Sequence, residues 1–231
     1  MSAYYNEIDP FAAQWLRNLI AKDLIATGDV DERSIIEVQP DDLKGYDQCH
    51  FFAGIGGWSY ALRRAGWADD RPVWTGSCPC QSFSSAATAR QDRRGDARHL
   101  WPAWRPLIAE CLPRTVFGEQ TAQAGDWFDE VCDDVESLGY SIGASVLPAC
   151  SIGQDHARFR LYFAGHANRH GKPRKSGDAE MARLPRLGSE RPIVAGEDGV
   201  SNRMATMRAY GNSVVPQVAA EVIKAYMECR P

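Results

Sequence analysis

The sequence predicts an α/β fold: an open sheet with helices on both faces. Three observations support it. An apolar run, Cys49-His50-Phe51-Phe52, passes through Gly54, Gly56 and Gly57 into a helical stretch, residues 58–65, that ends at Gly66. Strand, glycine turn and helix form a common opening unit of such folds. A second short run, Pro72-Val73-Trp74, leads into the loop Gly76-Ser77-Cys78-Pro79-Cys80-Gln81. A third ends at Glu119 and is followed by helical spacing over residues 127–138.

With 231 residues, 44% of them apolar, the chain has material for one core, or for one domain and a small appendage. No run reaches the length of a membrane span. The first residues, with Glu7 and Asp9, lack the basic start and apolar stretch of a secretory signal. Seven cysteines, an odd number without a paired framework, point to a reducing compartment, the cytoplasm. None has zinc-ligand spacing, so no metal is expected. The net charge of −4 conceals an asymmetry. Residues 158–208 carry 11 Lys+Arg against 5 Asp+Glu, and the remainder 15 against 25. A basic segment on an acidic body suits a polyanionic partner on one face, or equally a solvated charged loop.

Residues 1–48 read as an acidic, helical extension. Asp9 caps a helix with Pro10 at its first position, and Phe11, Trp15, Leu16, Leu19 and Ile20 recur at helical spacing. Thr27-Gly28-Asp29 reads as a turn, and residues 34–38 as a short strand or another helical turn. Ten acidic against four basic residues make this extension an unfavourable surface for nucleic acid.

Residues 49–165 form the α/β core. The glycines of its first turn permit close backbone approach to a nucleotide-like cofactor, and the helix start favours negative charge. Many strand–helix turns carry glycines without any ligand. Pro79 restricts Cys78 and stiffens the turn before Cys80, and polar neighbours Ser77, Gln81, Ser82 and Ser84 favour an accessible thiol. The alternative is a buried structural cysteine. Residues 84–98 are polar and aperiodic, a loop. Residues 100–112 form a helix packed through Trp104, Leu107 and Ile108, and 113–120 a strand. After the helix 127–138 come a strand at 140–147, a loop at 151–156, and a strand at 158–164 with Arg158 and Arg160 on one face. Residues 166–205 are a short hydrophilic insert. Residues 206–231 return to the core through Gly211-Asn212-Ser213-Val214-Val215-Pro216 and a last helix.

Five pieces therefore stand in order: F-x-G-x-G-G, G-S-C-P-C-Q-x-F-S, a strand ending in Glu, R-x-R on a strand, and G-N-x-V-x-P before a helix. This series resembles the DNA cytosine-5 methyltransferase family from about Cys49 onward. The resemblance implies a Rossmann-like sheet and transfer of methyl from S-adenosylmethionine to carbon 5 of cytosine in double-stranded DNA, on a flipped base. RNA as the substrate, or a degenerate DNA-binding relative without activity, are the rival implications. Carbon 5 of cytosine is a poor nucleophile. A thiolate adding at carbon 6 makes an enamine-like intermediate that accepts the methyl group. Cys80 is the implied nucleophile, Glu119 the acid at ring N3, and Arg158 and Arg160 the pair beside the base, with Arg160 bracing Glu119. Phe52, Gly54, Gly56, Gly57, Asn212 and Ser213 are implied at the cofactor. Gln81, Ser84, Arg94 and Arg98 in the loop, and Lys172, Arg174 and Lys175 in the target-recognition insert, are implied at DNA.

The chain also departs from the family pattern. Glu119 is followed by Gln120 and Thr121 instead of Asn-Val, His156 stands where Gln is usual, and Cys78 where Pro is usual. Between Gly57 and Gly76 there is room for one helix and one strand, where the family has two further strand–helix units that carry a carboxylate for the cofactor ribose. The expectation is a reduced sheet and an incomplete adenosine site, with Glu37 as one substitute. Such compactness resembles phage or prophage members acting in a bacterial cytoplasm.

Overall fold

The computed structural model describes residues 2–79, 100–122, 124–148, 159–168 and 213–229. Alternation of side chains explains the strands that the sequence announces. In β3 (Gln48–Phe51), Cys49 and Phe51 point into one core while Gln48 and His50 point to the other face. β4 (Val73–Gly76) and β5 (Thr115–Thr121) follow in parallel register, Phe51 opposite Gly76 and Gly76 opposite Gly118. β7 (Phe159–Ala167) runs antiparallel between β5 and β6 (Tyr140–Pro148).

The stretch read as a helical extension contains, besides its helix α1 (Pro10–Ala21), two strands: β1 (Ala3–Asn6) and β2 (Gly28–Asp31). Both join the sheet, whose order among the described residues is β2-β1-β3-β4-β5-β7-β6. The segment between Gly57 and Gly76 does hold only one helix and one strand, yet the sheet has seven strands, because β1 pairs directly with β3. A strand–helix–strand unit missing after the glycine turn is thus supplied ahead of it. β1, with two adjacent tyrosines, and β2, with the composition of a turn, carry no local mark of a strand. Gly28, read as part of a turn, is instead a sheet residue: a Cβ there would lie 1.8 Å from the Ala3 carbonyl oxygen.

Asp9 caps α1 as predicted, its Oδ1 accepting from the Phe11 and Ala12 amides. α1 buries Leu16 against Ala3, Tyr5 and Ile25. α2 (Gly57–Ala65) and α5 (Pro216–Cys229) cover the same face further along, around Trp58, Leu62, Phe117, Tyr162 and Ile223. α3 (Trp101–Cys111) and α4 (Gly125–Ser137) cover the other face with Trp104, Ile108, Trp127 and Val131. Two 3₁₀ turns, Ile35–Glu37 and Pro40–Leu43, pack Ile35, Val38 and Leu43 onto that face.

His50 sits inside the sheet, 1% exposed, its ring stacked on Tyr5 and bonded to Thr75 Oγ1 and Gln48 Oε1. Burial pushes its pKa down to about 3, so the ring is neutral at physiological pH. Between that value and the unfolded pKa near 6.5 the unfolded chain binds the extra proton, so stability falls as pH drops. His50 alone is expected to cost about 2 kcal/mol at pH 5 relative to pH 7. Denaturant melts across that range check it: His50→Asn should flatten the slope, and an unchanged slope would remove His50 as its source.

Candidate active site

Register lines up the strand ends. Asn6 lies opposite Phe51, Phe51 opposite Gly76, and Gly76 opposite Gly118. The next residues, Glu7, Phe52 and Ser77, therefore leave the sheet side by side, at the carboxyl ends of parallel strands, where open α/β sheets place their ligands, and Glu119 stands beside them within β5.

Over the first three lies a cavity of about 370 Å³. Its walls come from four segments: Glu7, Asp9, Phe11 and Ala12; Phe52 to Ile55 with Trp58; Ser77 and Pro79; and Ser213 with Val214. Phe52, Gly54 and Ser213, expected at the cofactor, thus meet here. Gly56 and Gly57 stand behind the wall. Gly56 has φ +83°, and a side chain on it would press on Leu16, Leu19 and Ile25. A Cβ on Gly57 would lie 2.5 Å from Val214, so the absence of one lets α5 approach α2. Phe52 itself holds a left-handed φ of +51°, a strained value for an aromatic residue and one often found at sites.

Glu7 is the residue the sequence reading missed. Its Oε2 accepts from the Gly54 amide at 2.6 Å and its Oε1 from the Asp9 amide at 2.9 Å. Burial raises its carboxyl above the usual range, and the two amide bonds pull it back. Each oxygen keeps a second lone pair. Glu37 is elsewhere. It is exposed, and its carboxylate accepts from the Ser34 amide to close a capping box. The Ser34-x-x-Glu37 spacing already carried that signature. Asp69 is engaged with Arg63 at 2.7 Å.

Next along the edge, Glu119 (6% side-chain exposure) and Arg160 (21%) form an ion pair, Oε1 to Nε 2.9 Å. They are brought together by the antiparallel pairing of β5 with β7, in which Thr121 faces Arg160 and Glu119 faces Tyr162. Gln120 points to the opposite face. Its Nε2 donates to the Cys78 carbonyl at 2.8 Å, and its Oε1 accepts from the Thr121 amide. The longer side chain therefore does hold the loop that leads to Cys80. Cys78 is buried in the α3 core and packs as a small apolar residue. Cys80, Gln81, Ser84, Arg94, Arg98, Arg158, Lys172, Arg174, Lys175 and Asn212 lie outside the described residues.

A mixed seven-stranded sheet with helices on both faces, and a cavity at the carboxyl ends of its parallel strands, is the Rossmann-like fold of S-adenosylmethionine-dependent methyltransferases. Residues 67–187 match the model of the C-5 cytosine-specific DNA methylases, over half of the chain, and the chain belongs to that family. Its enzymes take their methyl group from S-adenosylmethionine. Solved structures similar to it include a DNMT2 mutant of Spodoptera frugiperda (15% identity, 76% of this chain and 45% of that one, TM-score 0.49). Others are the methyltransferase EhMeth of Entamoeba histolytica (13%, 71% and 44%, 0.49) and the Dnmt2 methyltransferase of S. pombe (14%, 83% and 62%, 0.42). The chain spans less than two thirds of each. No curated protein matches it. Among the described residues no helix is long and apolar enough to cross a membrane.

Proposed function

We propose that this chain transfers methyl from S-adenosylmethionine to carbon 5 of cytosine in double-stranded DNA. The observation that supports it most is the buried Glu119–Arg160 pair standing one strand away from the loop that leads to Cys80. Cys80, as thiolate, adds to carbon 6 of a flipped cytosine. Glu119 holds or protonates ring N3, so that the ring accepts the electron pair, and Arg160 fixes the carboxylate and the O2 edge. Carbon 5 then takes the methyl group. Loss of its proton expels Cys80 and restores the aromatic ring. Arg158 flanks the base. Gln81, Ser84, Arg94 and Arg98 close over the target strand, and Lys172, Arg174 and Lys175 contact phosphates.

The cavity residues suit the methyl donor. Glu7 offers its two remaining lone pairs to the ribose hydroxyls, Phe11 and Phe52 offer ring faces to the base, and Gly54, Ser213 and Asn212 border the amino-acid end. The donor supplies an electrophilic methyl group when bound. In this reading the N-terminal unit restores the adenosine site through Glu7. Glu7→Ala should weaken S-adenosylhomocysteine binding by about ten- to a hundredfold, the range for hydrogen bonds to a charged group. Because burial raises the Glu7 carboxyl, affinity should also fall on acidification earlier than an exposed glutamate would dictate. Calorimetry on the variant, and on the wild type against pH, checks both, and unchanged affinity in the variant would remove Glu7 from the site.

DNA as substrate rests on the family model and on the basic insert, and RNA is the second reading. Competition between duplex DNA and RNA for transfer of labelled methyl separates them. Labelling of RNA alone would overturn the DNA assignment and keep the chemistry.

A further inference from the structure

Ser77 and Pro79 form part of the cavity wall, and they are also the third and first residues before Cys80. Ser77 is held by one side chain of that wall: the Trp58 indole N–H donates to its Oγ at 3.0 Å. Trp58 is 3% exposed, and its ring reaches further. It stacks on Phe117 at 6.0 Å and meets Tyr162 edge-on at 6.3 Å. Two residues on, along the same faces of β5 and β7, stand Glu119 and Arg160. Trp58 therefore touches the cavity, the loop before Cys80, and the strands under the ion pair. Gln120 holds the next loop residue, Cys78, from the other face of the sheet.

We infer that Trp58 is a positioning residue, and that its hydrogen bond to Ser77 couples occupancy of the cavity to the position of residues 77–79, which lead to Cys80. The inference rests on the methyltransferase reading and adds to it a named device. A molecule filling the cavity contacts Ser77 and Pro79 directly. Its binding and the loop position are therefore linked, each biasing the other by the same factor. Pro79, with its fixed φ, leaves one rotation fewer to absorb a displacement of Ser77 before it reaches Cys80. The indole bond selects one Ser77 rotamer and so defines the position that is favoured.

Three variants test it. Trp58→Phe keeps the buried ring and deletes the N–H, Ser77→Ala deletes the acceptor, and Ser77→Thr keeps it. In full-length protein, Trp58→Phe and Ser77→Ala should each lower kcat by about two- to tenfold, the range of one neutral hydrogen bond, with KM for nucleic acid unchanged. The double variant should lose no more than either single one, and Ser77→Thr should recover rate that Ser77→Ala loses. Amide exchange of the loop peptide gives an independent reading. S-adenosylhomocysteine should slow exchange at the Ser77 and Cys78 amides in the wild type and much less in Trp58→Phe and Ser77→Ala. Additive losses, or a lowered melting temperature with kcat and cofactor-dependent protection intact, would overturn the coupling and leave the enzyme assignment standing. A wild type that neither binds S-adenosylhomocysteine nor transfers methyl would overturn both.

Discussion

Replacing Cys80 by alanine is expected to abolish methyl transfer and to remove the covalent complex with DNA that carries 5-fluorocytosine. With fluorine at carbon 5 there is no proton to lose after methylation, so the thioether to carbon 6 persists and the complex survives denaturing electrophoresis. Cys78→Ala should keep most of both signals. The Cys78 side chain is buried in the core that also holds Phe51, Trp74 and Trp104, and the contact that matters to the loop is made by its backbone carbonyl, which alanine retains. A thiol enclosed in an apolar core is out of reach of a substrate carbon. Full trapping by the Cys80→Ala protein would give the nucleophile to another residue.

Glu119→Gln carries the second large effect. The amide keeps the shape of the side chain and loses both the proton for ring N3 and the charge that faces Arg160. Loss of one general acid lowers the rate by about 10²–10⁴, and nucleic-acid affinity should change far less. Stability sorts the two partners in the opposite sense. Glu119 is the more buried of the pair, so Arg160→Ala removes an ion-pair contact from a carboxylate in the interior, whereas Glu119→Gln removes one from an arginine that is partly in water. The arginine variant should therefore melt at the lower temperature. Single-turnover rates and thermal melts on the two variants check the order. An undiminished rate in Glu119→Gln would take the carboxylate out of the mechanism.

The elements around the candidate site were legible because they lie within single segments. The glycine turn, the strand that leads to Ser77, the strand of Glu119 and the strand of Arg160 each stand out in the local sequence. What was not legible is what β-pairing between distant segments creates. β1 has four residues, two of them adjacent tyrosines that serve opposite faces, with Tyr5 toward α1 and Tyr4 toward Phe51. β2 has the composition of a turn, Gly-Asp-Val-Asp, and is a strand because it pairs with β1. With both strands unseen, a carboxylate following a strand, the same pattern that marked Glu119, went unnoticed at Glu7. The contact made by Gln120, which stands where the family has Asn, was hidden for a similar reason. Side-chain length alone could not show that the Cys78 carbonyl lies within its reach, and the register of β4 on β5 places it there.

The most direct test is bisulfite sequencing of DNA from cells expressing the wild-type chain, the Cys80→Ala variant, or neither. Cytosines protected from conversion are expected within one short sequence context, a few base pairs long given the small insert, in the wild-type sample alone. Complete conversion in all three samples, from cells that contain the folded wild-type protein, would contradict that expectation.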